Sequence, residues 1–354
     1  MEAPPESVDE RQQRTAALAA RLQCGVPEDP DQRSPEHAAN WLLSNLLDWH
    51  SRELKAEWWE FFRLSELPDQ DLLDERSGLA GLRFLQRLAV QRNIPTDRYA
   101  FAKQDTDVRA GDELCAKGEK IGEVIAIDIA ARTIDIKKSR KTADLHPAAV
   151  YVKDVGPSTE VLGEALFRIG TWVAENGIDS PGAYRAARDL LLSRAPRITD
   201  LTAPLILPDE KTVDAAKRLA TILDHTVLAI QGPPGAGKTF TGARMICELV
   251  RQGKRVGITA TSHKVIGNLL KEVVAAAGEI GLQRLNCVQK VKKGEKPEHD
   301  PPHIRTTVDN AETRAAFLDG ADVLAGTQWL WAQQDHFEAV DVLFVDEAGS
   351  PPAS

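Results

Sequence analysis

The amino-acid sequence predicts an α/β fold: a parallel sheet wound with crossover helices over residues 207–354, preceded by helical segments and a small β-barrel. Three patterns carry this. After residue 207, short apolar runs alternate with segments of helical period, the order that builds a parallel sheet. Between residues 98 and 156 the period drops to two. Over 1–97 and 157–206 apolar residues recur at helical spacing.

Bulk properties set limits. The 354 residues are 42% hydrophobic and carry a net charge of −9, which suits a soluble chain of two to three domains. No apolar run approaches the roughly 18 residues of a membrane span, and the polar start Met1-Glu-Ala-Pro-Pro does not read as a secretory signal. Cys24, Cys115, Cys247 and Cys287 form no CxxC pair, so they read as reduced cytoplasmic thiols, not as a disulfide framework or a zinc site. The acidic balance argues against a basic nucleic-acid module, although whole-chain charge averages over surfaces that differ locally.

Taken in order, residues 1–97 read as a helical region. A long helical pattern runs from about Pro35 to Leu64, with Trp41, Leu42, Asn45, Leu46 and Trp49 at helical spacing. The cluster Trp58-Trp59-Glu60-Phe61-Phe62 follows; it suits core packing of an amphipathic helix better than a base-stacking platform. Residues 98–156 read as a barrel-like domain, with a turn at Ala110-Gly111-Asp112 and a hairpin from Glu123–Asp128 and Thr133–Lys137. Asp128 and Asp135-Ile136-Lys137 resemble the acidic-x-Lys triplet of metal-dependent nucleases, but an alternating hairpin explains all of them. Residues 157–206 return to helix, and Leu207-Pro-Asp-Glu reads as a linker. Beyond it, strands are expected at Thr226–Gln231, Val256–Thr261, Arg284–Val288, Asp322–Gly326 and Asp341–Val345, with helices at Lys238–Arg251 and Lys264–Ala277. Residues Lys290 to Thr307 read as a solvated polar loop containing Lys292, Lys293 and Lys296.

One stretch speaks to chemistry. Gly232-Pro233-Pro234-Gly235-Ala236-Gly237-Lys238-Thr239 matches G-x-x-x-x-G-K-[ST], between an expected strand and a helix that opens with Phe240. Glycines let backbone approach phosphate, and successive N–H groups with the positive helix end hold the anion. Lys238 is expected on the β- and γ-phosphates of ATP, and the Thr239 hydroxyl on Mg²⁺. At the end of the apolar run Val342–Val345 stand Asp346, expected to hold Mg²⁺ through water, and Glu347, expected to orient the attacking water.

The segments Gln231–Thr239, Ile258–Leu270, Leu324–Leu330 and Phe344–Gly349 (QGPPGAGKT, ITATSHKVIGNLL, LAGTQWL, FVDEAG) resemble motifs I, Ia, Ic and II of superfamily 1 helicases of the nonsense-mediated-decay and senataxin-like type. Trp49 to Glu53 and Trp58-Trp59 resemble bacterial fusions of a RecB-like nuclease with such a helicase. The resemblance implies a RecA-like first domain, Mg-ATP hydrolysis and tracking along single-stranded DNA or RNA. It also matches Thr261, Ser262 and Thr327 to positions that contact the strand's phosphates, although helix capping and strand-end turns explain each one equally well. The departures are specific. Ser350 stands where the family has glutamine, and no glutamine lies in Asp209–Ala220. The family's later motifs, its second RecA-like domain and the arginines of that domain do not follow. The expectation is therefore an incomplete first domain with little ATPase activity alone. The alternative is a nucleotide-binding remnant or switch without motor activity. No NKxD or LSGGQ motif points to a GTPase or a transporter ATPase.

Overall fold

The structure, a computed structural model, describes residues 8–153, 158–198, 204–282, 284–292 and 303–349. The chain divides into two compact units, Met1–Trp49 with Thr159–Ser354, and His50–Ser158. Secondary structure is mixed, with a curled antiparallel sheet in the second unit and a separate parallel sheet in the first.

The first unit opens with helices α1 (Val8–Gln23) and α2 (Pro35–Leu46). Ser34 caps α2, accepting from the His37 amide, and Pro35 follows where a missing N–H costs nothing. The expected single helix from Pro35 to Leu64 is thus two. Its buried stripe is Ala39, Leu43 and Leu47, while Trp41, Leu42 and Trp49 stay exposed. The arginine of Arg33 lies over the Trp41 ring.

In the second unit, α3 (Trp49–Glu66) leads into seven strands: β1 (Gly78–Ala80), β2 (Arg83–Gln91), β3 (Ile94–Ala100), β4 (Glu113–Ala116), β5 (Glu119–Asp128), β6 (Thr133–Lys138) and β7 (Ala149–Val152). Their order is β1-β7-β4-β5-β6-β3-β2, antiparallel throughout. Because β1 and β2 are joined through Gly81 and Leu82 yet sit at opposite ends of that order, the sheet must curl back on itself. The hairpin expected at 123–137 is β5–β6. Strands also occupy most of 78–97, within the region expected to be helical. Leu79, Tyr99, Leu114, Ile121, Ile134 and Ile136 fill the interior. Of the aromatic cluster on α3, only Phe61 is core, packed edge-on against Tyr151. Trp59 is 75% exposed and Phe62 54%, so core packing does not account for the cluster as a whole. The nuclease-like triplet is structural: Asp135 takes a bidentate pair from Arg98 at 2.7 and 2.8 Å, and Asp128 caps the Ala131 amide in the turn.

The first unit resumes with α4 (Glu160–Asn176) and α5 (Arg185–Leu191). Leu18, Leu22, Ala39, Leu43, Leu47 and Val173 form the core of this helical layer. The loop between α4 and α5 wraps around Arg188. This fully buried guanidinium donates to the carbonyls of Ile178, Ser180, Gly182 and Ala183 and lies 4.0 Å from the Trp172 ring centre.

After α6 (Thr212–Ile222) and α7 (Lys238–Arg251) come β8 (Val256–Thr259), α8 (His263–Glu279), β9 (Cys287–Lys290), β10 (Ile304–Thr307), α9 (Asn310–Leu318), β11 (Val323–Ala325), α10 (Gln328–Trp331) and β12 (Val342–Val345). The sheet order is β10-β9-β11-β8-β12, all parallel. Helices α7 and α8 cover it with Ala243, Ile246, Leu249, Ile266, Leu270 and Val273 over Val256, Ile258 and Val323. Two expectations change here. Residues 304–307 form β10, an edge strand whose polar sequence hid it within the expected loop; Lys293 and Lys296 lie outside the described residues. And 226–231, expected as a strand, makes no ladder bond among the described residues. Its Leu228 packs on the shared core, so burial is partly met while backbone pairing is not.

His336 gives this unit a pH dependence. It is buried after α10, edge-on to Trp331, and neither ring nitrogen has a hydrogen-bond partner among the described residues. Burial holds the imidazole below its ordinary range, with Asp335 opposing and Arg314 and Lys290 assisting. The unfolded chain therefore takes up the proton first. This stabilisation is complete above about pH 6.5, the unfolded value, and is lost as pH falls towards the folded one. His336→Phe is expected to flatten the fall in melting temperature between pH 7 and pH 5; equal slopes in both proteins would count against it.

Candidate nucleotide-binding site

The glycine-rich loop is built by backbone conformation. Gly235 and Gly237 hold φ of 78° and 82°, the left-handed region that side chains resist. A Cβ on Gly232 would press within 3.2 Å of the Ala236 methyl. The chain then enters α7 with Gly237 at the cap position and no side chain capping it. The amides of Gly235 and of Gly237 through Phe240 make no hydrogen bond to the described residues. Successive unpaired N–H groups at the positive end of a helix of this length form a concavity for anions. Lys238 Nζ donates to the Gly232 carbonyl at 2.6 Å and to the Pro233 carbonyl at 3.2 Å, which places a cation at the mouth of the same loop. The donor set therefore suits a polyphosphate. Pro234 and Ala236 are exposed on its rim. Phe240 is exposed too, and the Arg244 guanidinium sits 3.2 Å from its ring centre, held by Glu272 and Glu279.

The other candidates gather at the carboxyl ends of neighbouring strands. Val345 stands opposite Thr259 in the β12–β8 pair, and the Asp346 amide donates to the Thr259 carbonyl. Two residues beyond Thr259 lie Thr261 and Ser262. Ala325 stands opposite Ile258, which brings Thr327 to the same edge. Register alone thus collects Asp346, Glu347, Thr261, Ser262 and Thr327. Their side chains differ in freedom. Ser262 caps α8, accepting from the Val265 amide at 3.3 Å. Thr327 heads α10 without a side-chain cap bond. Asp346 accepts from the Glu347 amide at 2.9 Å. Glu347 itself is exposed with φ of 53°, a left-handed turn that costs a non-glycine residue about 1–2 kcal/mol. No hydrogen bond among the described residues joins the loop 232–239 to 346–349. The loop reaches the shared core through α7 and Leu228. Ser350 lies outside the described residues.

Trp331 is a supporting residue that sequence reasoning passed over. Its indole N–H bonds the carbonyls of Ile258 and Gly326 at 3.2 and 3.1 Å, tying the turns that present Thr261 and Thr327. Gly257 makes room for it, since a Cβ there would come within 2.5 Å of the indole. Gly257 lies inside β8 and Trp331 in α10, far apart in the chain, so no local pattern marks their contact. Thr239 and Asp346 are both half-buried. A magnesium ion held by one hydroxyl, one carboxylate, phosphate oxygens and water fits such a set, and needs no cluster of three or more His, Cys, Asp or Glu side chains, of which the described residues contain none.

No protein-family model matches the chain. Among characterised proteins, it is similar to the DNA replication ATP-dependent helicase/nuclease DNA2 of Saccharomyces cerevisiae, 27% identical over 165 residues, or 44% of the chain. That stretch covers 10% of the yeast protein, so the chain matches a small part of its relative. No helix among the described residues is long and apolar enough to cross a membrane.

Proposed function

We propose that this chain is the ATP-binding part of a superfamily 1 helicase acting on DNA, with residues 207–354 forming its first, RecA-like domain. The observation that carries the reading is the uncapped start of α7, where the unpaired amides of Gly237 to Phe240 and the Lys238 ammonium converge on one concavity. The similarity to the yeast helicase/nuclease favours DNA over RNA. In this reading the loop amides and Lys238 hold the β- and γ-phosphates, Lys238 leaving its two carbonyls for phosphate oxygens. Thr239 and Asp346 hold Mg²⁺, which, when bound, neutralises charge on the phosphates. Glu347 orients the attacking water, and Thr261, Ser262 and Thr327 face the strand's phosphates.

The test is calorimetry with Mg-ATP. Wild type is expected to bind and Lys238→Ala to bind at least about tenfold more weakly, one charge-assisted contact of about 1.5–3 kcal/mol being lost. Equal affinity in the two proteins overturns the reading. A second reading, a nucleotide-binding switch without turnover, is favoured by the absence, among the described residues, of ladder bonds at 226–231, so that no such bond ties the loop to the strand that carries Asp346 and Glu347. Nucleotide binding without measurable hydrolysis in the presence of single-stranded DNA would select it.

A further inference from the structure

Two stretches of the second unit reverse the acidic average of the chain. Residues 83–98 and 137–146 together contain eight basic side chains and two carboxylates, in a protein of net charge −9. The fold brings these two stretches side by side. The Phe84 ring lies 4.4 Å from that of His146, and Arg87 Nη2 donates to the Ala143 carbonyl at 3.0 Å. Three of the cations have internal work. Arg87 pairs with the fully buried Asp97, Arg98 with Asp135, and the buried Lys138 donates to the Leu145 carbonyl. The other five, Arg83, Arg92, Lys137, Arg140 and Lys141, are exposed, and none of their side chains enters a hydrogen bond or ion pair among the described residues. Glu123 stands opposite Lys137 across β5–β6, and the exposed Asp144 approaches Arg87. No ion pair among the described residues offsets Arg83, Arg92, Arg140 or Lys141.

The edge itself narrows the choice of ligand. Every residue of β2 is exposed, and its outer side is the end of the sheet. Register shifts fall at Leu85 and Leu88. Such bulges break the regular ladder that an added protein strand would need. A polyanion needs no ladder. It takes cations from flexible side chains, and an exposed aromatic among them offers a face for a base. Phe84 is that aromatic.

We propose that the β2 edge, with the 139–146 loop, binds single-stranded DNA at a site separate from the nucleotide loop. The choice of DNA rests on the proposed function; the site rests on the charge and the edge.

The experiment is fluorescence anisotropy of a labelled 20-nucleotide oligo-dT with the full chain, without nucleotide, across a salt series. Each phosphate contact on a single strand contributes about 0.7 to the slope of log K against log salt. Arg83→Glu with Arg140→Glu and Lys141→Glu is expected to lower that slope by about 2 and the affinity at least tenfold at about 0.1 M salt. Phe84→Ala is expected to weaken binding about fivefold or more with the slope unchanged, since stacking is not ionic. Melting curves confirm folding, and the same three positions changed to Gln serve if the glutamate variant fails to fold. Unchanged affinity and slope in the charge variants overturn the site. Tighter binding of a 20-nucleotide oligo-U overturns the choice of DNA, and equal competition by polyglutamate overturns nucleic acid in favour of an acidic protein. Lys238→Ala is expected to leave this binding intact, so failure here and failure of the nucleotide reading are separate results.

Discussion

Arg188→Ala is expected to lower the melting temperature of the first unit by about 10 °C, through a loss of about 3–5 kcal/mol. The guanidinium is the internal scaffold of the α4–α5 loop. Itself fully buried, it bonds four carbonyls between Ile178 and Ala183, at 2.6 to 3.1 Å, of which the bond to Ile178 is buried and the other three part-buried. Removing it leaves those acceptors unpaired, at about 1–3 kcal/mol for each that water cannot reach, and opens a space beside Trp172. The loop has little freedom to collapse. Gly182 runs at φ 123° with Trp172 3.0 Å from where its Cβ would be, and Tyr184 is left-handed. Arg188→Lys keeps the charge but not the planar fork, so it is expected to recover less than half of the loss. Thermal melting of the three proteins checks this. Full recovery in the lysine variant would mean that charge, not the geometry of the donors, holds the loop.

Arg188 also marks where sequence stops being readable. In Ala183–Leu192 it looks like a solvent-facing helix residue, because its partners are backbone carbonyls, and those have no sequence signature. The same limit explains β2. All nine of its residues are exposed, so it lacks the alternation that marks a half-buried strand, and its sequence resembles the tail of a helical region. Trp58, Trp59 and Phe62 read as core because they are large and apolar, yet among the described residues the helix turns only Phe61 and Leu64 inward.

Local signals fared better. Helix α7 has the bounds its pattern predicts, Lys238 to Arg251, since apolar periodicity and a glycine start are both local. The hairpin β5–β6 was legible from its alternation. The candidate site lies between these cases. Its loop is one contiguous motif. Its other residues come together through the register of β8, β11 and β12, which follows from the βαβ order. Whether Thr226–Gln231 pairs with a neighbour depends on a strand elsewhere in the fold, and no pattern within those six residues could say.

Glu347→Gln is expected to lower ATP hydrolysis by about 10²–10³-fold, within the range for loss of a general base, while Mg-ATP affinity changes less than about twofold. The reasoning is positional. Glu347 is exposed in the turn after β12, whereas the groups suited to binding phosphate are the amides of Gly237 to Phe240 and Lys238. Replacing its carboxylate removes a proton acceptor and leaves the donors in place. The starting rate is expected to be low, well under about 1 s⁻¹ even with single-stranded DNA. Phosphoryl transfer gains about 10³–10⁵ from a positioned arginine on the γ-phosphate, and no arginine among the described residues bonds to the loop 232–239 or to 346–349; Arg244, the nearest along α7, is committed to Phe240, Glu272 and Glu279. Single-turnover hydrolysis resolves both points. Equal rates in wild type and Glu347→Gln would remove Glu347 from the chemistry. Turnover of about 1 s⁻¹ or faster, abolished by the substitution, would instead mean that this chain supplies its own transition-state cation from a residue not yet identified.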